Sequence, residues 1–146
     1  MAKMSVIGAG TMGNGIAHVF AQHGFEVHLV DVSEQQLEKA FKTIAKNLDR
    51  QVAKEIIRKE KKEETLLNIV RTTSLQEGVK NARLVVEAAA ENLEVKLKIF
   101  KEIDAASPEG CILATNTSSI SITKIASAIS RPEMKLSRAL TIKSPA

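Results

Sequence analysis

The stretch Val6–Gly15, read V-I-G-A-G-T-M-G-N-G, constrains this chain more than any other. Gly8, Gly10 and Gly13 form G-x-G-x-x-G. Met4-Ser5-Val6-Ile7 before them reads as a short buried strand, and Met12 to His23 after them reads as a helix ended by Gly24. Strand, glycine turn and helix in that order are what a phosphate-cradling turn requires. The first glycine permits the tight turn, the second lets the backbone approach a pyrophosphate, and the third lets helix and strand pack closely. The helix N-terminus then presents free N–H groups and a positive dipole end to the phosphates. A second half completes the pattern. Phe25 to Val30 reads as the next strand, and Asp31 ends it 18 residues after Gly13, close to the ~20 expected for the acid that holds a ribose 2′-hydroxyl. A carboxylate there accepts from a diol and repels a 2′-phosphate, so NAD is expected over NADP.

The rest of the chain alternates in the same manner. Ser33-Glu34-Gln35-Gln36 reads as a capping box. Leu37, Phe41, Ile44 and Leu48 follow at helical spacing. One helix from Glu34 to Ile69 would be too long for a simple crossover. A helical hairpin bending between Glu55 and Lys59 fits better, and its charged run reads first as a solvated face. Asn68–Thr73, Arg83–Ala88 and Cys111–Ala114 read as the third, fourth and fifth strands. Ser74–Ala82 reads as a short connection, Glu91–Ala106 as a helix, and Ile120–Ser130 as another. Strands alternating with helices predict a doubly wound, Rossmann-type α/β domain. Its sheet is mostly parallel, with a helical hairpin inserted after strand 2. The turn Asn116-Thr117-Ser118-Ser119 falls at a strand's carboxyl end, where ligands of such sheets bind. It could cap a helix, or a serine there could hydrogen-bond a carbinol or carbonyl oxygen.

The 146 residues suit a single domain with a real core. The start of strand one almost at Met1 argues against a secretory signal, and no apolar run is long enough to span a membrane. Cys111 is the single cysteine, which suits a reducing cytoplasm, and its apolar setting suggests a buried, inert thiol. His18, His23 and His28 lack metal-ligand spacing and read as structural or solvated, so no metal is expected. The net charge of +4 belongs largely to residues 134–146, which hold Lys135, Arg138 and Lys143 and no acid. Taking those three from the 21 basic residues leaves 18 against 17 acids. No basic face with stacking aromatics accompanies the charge, so nucleic-acid binding is not expected.

Three motifs together carry a resemblance. G-A-G-T-M-G-N-G-I-A at 8–17, V-V-E-A-A-A-E-N-L-E-V-K at 85–96 and N-T-S-S at 116–119 resemble the 3-hydroxyacyl-CoA dehydrogenase family, the bacterial 3-hydroxybutyryl-CoA dehydrogenases in particular. The resemblance runs from about Ala2 to Glu133. It implies hydride transfer between NAD and 3-hydroxyacyl-CoA or 3-ketoacyl-CoA, in fatty-acid or butanoate metabolism. It further implies that Gly8, Ala9, Gly10, Thr11, Met12, Gly13 and Asp31 hold NAD. Glu91 and Lys96 match residues on the nicotinamide side, and Asn116 would lie beside the nicotinamide ribose. Ser118 matches the serine that binds the reacting substrate oxygen, and Lys54 a basic position that meets the CoA phosphates. A surface ion pair is the competing reading for Glu91 with Lys96, and a solvated helix face for Lys54. The 3-hydroxyisobutyrate-type dehydrogenases share the G-x-G-x-M-G start, but E-N-L-x-V-K and N-T-S-S fit the acyl-CoA family better.

The pattern breaks after Glu133. The family continues with a strand of the form V-I-G-M-H-F-F-N-P, whose histidine is the general base and pairs with a later glutamate. Here 134–146 reads M-K-L-S-R-A-L-T-I-K-S-P-A, and the histidine slot counted from Ser118 falls on Ala139. Residues 1–133 are therefore expected to form the NAD-binding domain, and 134–146 a divergent tail where the family has its sixth strand, with the family's C-terminal helical domain absent. The apolar pattern of the tail is weak, so a helix or a loose tail is favoured over a strand at the sheet edge. The expectation is a chain that binds NAD(H) and turns over acyl-CoA poorly, since the base worth ~10²–10⁴-fold is missing. A non-catalytic NAD-binding module or a truncated gene product is the alternative. Apolar surface left uncovered would favour self-association.

Overall fold

The computed structural model describes residues 2–89, 92–115, 127 and 136–137. Strands β1 (Lys3–Ile7), β2 (Glu26–Val30), β3 (Ile69–Thr72), β4 (Leu84–Glu87), β5 (Ile112–Thr115) and β6 (Leu136–Ser137) form one sheet in the order β3-β2-β1-β4-β5-β6. Every pairing in it is parallel. Helices α1 (Thr11–Gln22), α2 (Glu34–Ala53), α3 (Lys59–Leu67), α4 (Leu75–Val79) and α5 (Leu93–Ala106) make the crossovers. The order reverses between β1 and β4, the switch point at which a doubly wound sheet opens a crevice beyond its carboxyl ends.

Both faces of the sheet are covered because side chains alternate along each strand. Met4 and Val6 join Ile16, Ala17, Ala21, Leu37, Ile44 and Leu48 on the face under α1 and α2. Ile7 and Val30 join Val79, Val85, Phe100, Ile103 and Leu113 on the face under α4 and α5. The central strands are consequently apolar on both sides, as a parallel sheet requires.

The hairpin after β2 bends within the expected segment between Glu55 and Lys59. Helix α2 begins with Ser33 Oγ accepting from Gln36 N at 3.2 Å and ends on Lys54. Glu55 then takes a left-handed φ of 59°, and α3 starts at Lys59. Lys62 ties the two helices together by its ion pair with Asp49.

Two expectations need correction. Residues 74–82 are not plain connection: α4 lies within them, its N-terminus capped by Ser74 Oγ accepting from Glu77 N at 3.3 Å. Ser74-Leu75-Gln76-Glu77 has the S-x-x-E spacing of a capping box, which marks a helix start even when the helix is one turn long. Gly78 permits α4 to sit on the sheet, since a Cβ there would stand 2.3 Å from Val30 Cγ2. The two described residues of the tail also differ from the helix or loose segment favoured above. Leu136 and Ser137 pair with Leu113 and Ala114 as the edge strand β6. An unpaired edge of β5 offers backbone donors and acceptors to any extended neighbour, and that offer outweighs a weak side-chain pattern. The expected helix at 120–130 lies outside the described residues except Ser127, which is exposed.

Candidate functional site

The glycine turn joins the carboxyl end of β1 to α1, and each glycine in it answers to a different neighbour. Gly8 has a φ of +108°, and a Cβ there would meet the Ala89 backbone at 2.7 Å. Gly13 lies against the turn itself, where a Cβ would fall 1.8 Å from the Gly8 carbonyl oxygen. Gly10 has nothing within 4 Å of its would-be Cβ, so no protein atom demands glycine there. The space in front of Gly10 faces the N-terminus of α1. Gly10 is the N-cap residue, no side chain caps that end, and its first turn carries no acid. Thr11 and Met12 are exposed in that turn. A helix N-terminus beside open space can take an anion's oxygens, and the helix dipole favours them.

Asp31 closes the other side. Its Oδ2 accepts from Ala9 N at 2.9 Å and its Oδ1 from Ser33 N at 2.9 Å. The carboxylate thus links the glycine turn to the end of β2. Each oxygen keeps a lone pair for another donor, since an ionised carboxylate has about four acceptor sites. Val32, next to Asp31, is 94% exposed. It offers an apolar surface beside the carboxylate that the motif pattern does not mention.

Beyond β4 Lys96 belongs to a buried network, which disfavours the competing reading of a surface ion pair. Lys96 is only 5% exposed, and its Nζ donates to Glu87 Oε1 at 2.7 Å. Glu87 is fully buried. Its Oε1 also accepts from Thr115 Oγ1 at 2.8 Å, and its Oε2 from Ala89 N at 2.7 Å. A surface ion pair is therefore not what Lys96 makes. Glu87 and Thr115 escaped the sequence reading. The available signal was an acid at the end of the apolar strand L-V-V-E, since a charge in such a run is buried only with a partner.

The structure gathers Gly8, Ala9, Gly10, Thr11, Met12, Gly13 and Asp31 at one side of the crevice and Lys96 at the other. Lys54 stands apart, at the far end of α2, whose 20 residues rise about 30 Å from a start just after Asp31. Glu91, Asn116 and Ser118 lie outside the described residues. Of the histidines, His18 is buried with Nε2 2.8 Å from Gln22 Oε1, and His23 Nδ1 lies 2.7 Å from Val19 O. His28 Nε2 lies 3.4 Å from the Glu26 carboxylate. Burial pushes the pKa of His18 and of His28 below the usual imidazole value. Cys111 is buried.

Residues 3–137 match the family of the 3-hydroxyacyl-CoA dehydrogenase NAD-binding domain. The chain belongs to that family. It is 49% identical over 131 residues to 3-hydroxybutyryl-CoA dehydrogenase of Bradyrhizobium diazoefficiens, covering 90% of this chain and 44% of that protein. It is 43% identical over 130 residues to 3-hydroxyadipyl-CoA dehydrogenase of Escherichia coli K12, covering 89% of this chain and 27% of the relative. The crystal structure of (S)-3-hydroxybutyryl-CoA dehydrogenase from Ralstonia eutropha superposes with a TM-score of 0.84 at 44% identity, over 90% of this chain and 46% of the other. The chain thus spans less than half the length of these relatives, and the part it spans is the NAD-binding domain of a 3-hydroxyacyl-CoA dehydrogenase. The cofactor of that domain is NAD, and the open face at Gly10, the uncapped α1 and the Asp31 carboxylate fit it.

Proposed function

We propose that this chain binds NAD(H) with the turn Gly8–Gly13 around the pyrophosphate and Asp31 on the adenosine ribose. The observation that carries the reading is the pairing of open space at Gly10 with the Asp31 hydrogen bond to Ala9 N. The Asp31 carboxylate repels a second negative group at the 2′ position, so NADPH binds more weakly than NADH. Val32 supplies apolar surface for the adenine ring. Lys96, together with Glu91 and Asn116, serves the nicotinamide side.

The reaction we assign to the whole protein is hydride exchange between NAD and a 3-hydroxyacyl-CoA or 3-ketoacyl-CoA, the class named in its relatives. When bound, NAD accepts or gives the hydride. Ser118 would donate a hydrogen bond to the reacting oxygen, where charge develops. Lys54 would meet the CoA phosphates from the hairpin. No histidine follows His28 in the 146 residues, and the family's general base has Ala139 in its slot. This polypeptide is accordingly proposed to bind NAD(H) and to turn over acyl-CoA slowly, and the same feature favours the second reading, an NAD-binding module without catalysis. Among the described residues no helix is long and apolar enough to cross a membrane. Cysteine usage, a single buried Cys111, supports a reducing compartment, and we propose the cytoplasm.

Calorimetric titration with NADH and with NADPH, followed by an acetoacetyl-CoA assay on the same sample, tests the reading. NADH binding with little turnover is expected. Turnover at rates typical of enzymes, about 1–10³ per second, would overturn the impairment. Failure to bind either nucleotide would overturn the cofactor assignment.

A further inference from the structure

We propose that Glu87 is a positioning residue for the nicotinamide half of the crevice, acting through Lys96 and Thr115; this rests on the NAD(H) reading above. A dinucleotide crosses the crevice at the switch point between β1 and β4. With Asp31 at the end of β2 taking the adenosine side, the nicotinamide side falls over the ends of β4 and β5. Glu87 sits there. The register sets Ile7, Glu87 and Thr115 in one row at the carboxyl ends of the three central strands.

One carboxylate ties four segments together. Its Oε1 takes Lys96 Nζ from α5 and Thr115 Oγ1 from β5, and its Oε2 takes Ala89 N from the loop after β4. Ala89 in turn backs onto Gly8 of the phosphate turn, close enough to exclude a Cβ. Stability alone gives weak reason for such a cluster, because a buried ion pair roughly breaks even against apolar residues of the same volume. Apolar packing, however, has no directional preference. Hydrogen bonds to one carboxylate fix where the Lys96 ammonium and the end of β5 stand relative to the phosphate turn.

The test uses the 146-residue chain and two ligands, NADH and ADP. ADP lacks the nicotinamide and its ribose, so it reports only the β1–β2 side. Thr115→Val removes one bond to Oε1 and leaves the Ala89 bond in place. It is expected to weaken NADH by about three- to tenfold, the worth of one hydrogen bond, with ADP affinity unchanged within about twofold. Thr115→Ser, which keeps the hydroxyl, is expected to restore NADH binding. Glu87→Gln removes the buried carboxylate charge that pairs with Lys96 and is expected to weaken NADH by about tenfold or more, again sparing ADP. Equal losses for NADH and ADP, or no loss for either, would overturn the proposal, because a merely structural support moves both ligands together. If Glu87→Gln does not fold, the Thr115 pair still decides. Wild type that takes NADH, with variants that lose NADH and ADP equally or lose neither, overturns this inference alone. Wild type that takes no NADH overturns the NAD(H) reading with it.

Discussion

At the scale of single residues, two glycines of one motif have opposite reasons to be glycine. Gly13→Ala would drive a Cβ to 1.8 Å from the Gly8 carbonyl oxygen, in a place where only backbone can give way. Loss of stability of about 2 kcal/mol or more is expected, of the kind overpacking produces, measured by urea unfolding. Gly10→Ala meets no protein atom. Its unfolding midpoint should fall by less than about 1 kcal/mol in stability terms, the cost of alanine at an N-cap, while NADH binding is largely lost because the methyl group occupies the phosphate approach. If Gly10→Ala kept full affinity, the space in front of that residue would not be the pyrophosphate site.

At the scale of elements, caps and buried contacts decide how the helices stand. Asn92 caps α5, its Oδ1 accepting from Glu94 N at 2.8 Å and Val95 N at 3.3 Å. Asn92→Ala should cost about 1 kcal/mol, as N-cap removals do, read by urea unfolding. That turn also carries Lys96, so the same variant should weaken NADH. The contact of α1 with α2 adds a pH response. His18 Nε2 lies beside Gln22 Oε1, and Gln22 Nε2 donates to Gln51 Oε1 at 3.0 Å. Burial lowers the His18 pKa in the folded chain below 6.5, so the unfolded chain binds the proton more readily. The stabilisation is whole above pH 6.5 and is lost as pH falls below it. His28 is shifted in the same direction. Unfolding midpoints taken between pH 7.5 and about 5 should therefore decline with acid, and His18→Leu should flatten the decline without abolishing it.

At the scale of the whole molecule, ligand and surface both bear on stability. NADH at a hundredfold excess over its dissociation constant should stabilise the fold by about 2.7 kcal/mol, visible as a rise in melting temperature that NADPH at equal concentration does not match. Val32, Ile56, Leu67 and Ile112 are large apolar side chains left exposed. We propose that such surface lets the 146-residue chain self-associate. Light scattering across a concentration series should show mass rising with concentration, and a constant monomer mass would remove the proposal.

The nucleotide fold was legible from local pattern. Glycines at 8, 10 and 13, an acid at 31, the capping box at Ser33 and strands spaced by amphipathic helices are all short-range features. Turn sterics, helix ends and side-chain alternation act over a few residues, so the order of elements and the parallel sheet follow from the chain read in sequence. The α4 turn was also written locally, in Ser74 and Glu77, but its brevity hid it. The tertiary structure alone decided what Lys96 touches, that Glu87 is the shared acceptor, that Thr115 completes it and that Leu136–Ser137 joins the sheet edge. The Lys96 and Thr115 bonds to Glu87 span 9 and 28 positions, and the β5–β6 pairing spans 23. A buried carboxylate takes whichever donors the packed elements bring to it, and an open strand edge pairs through backbone groups that every residue shares. Neither leaves a mark in the periodicity of the chain.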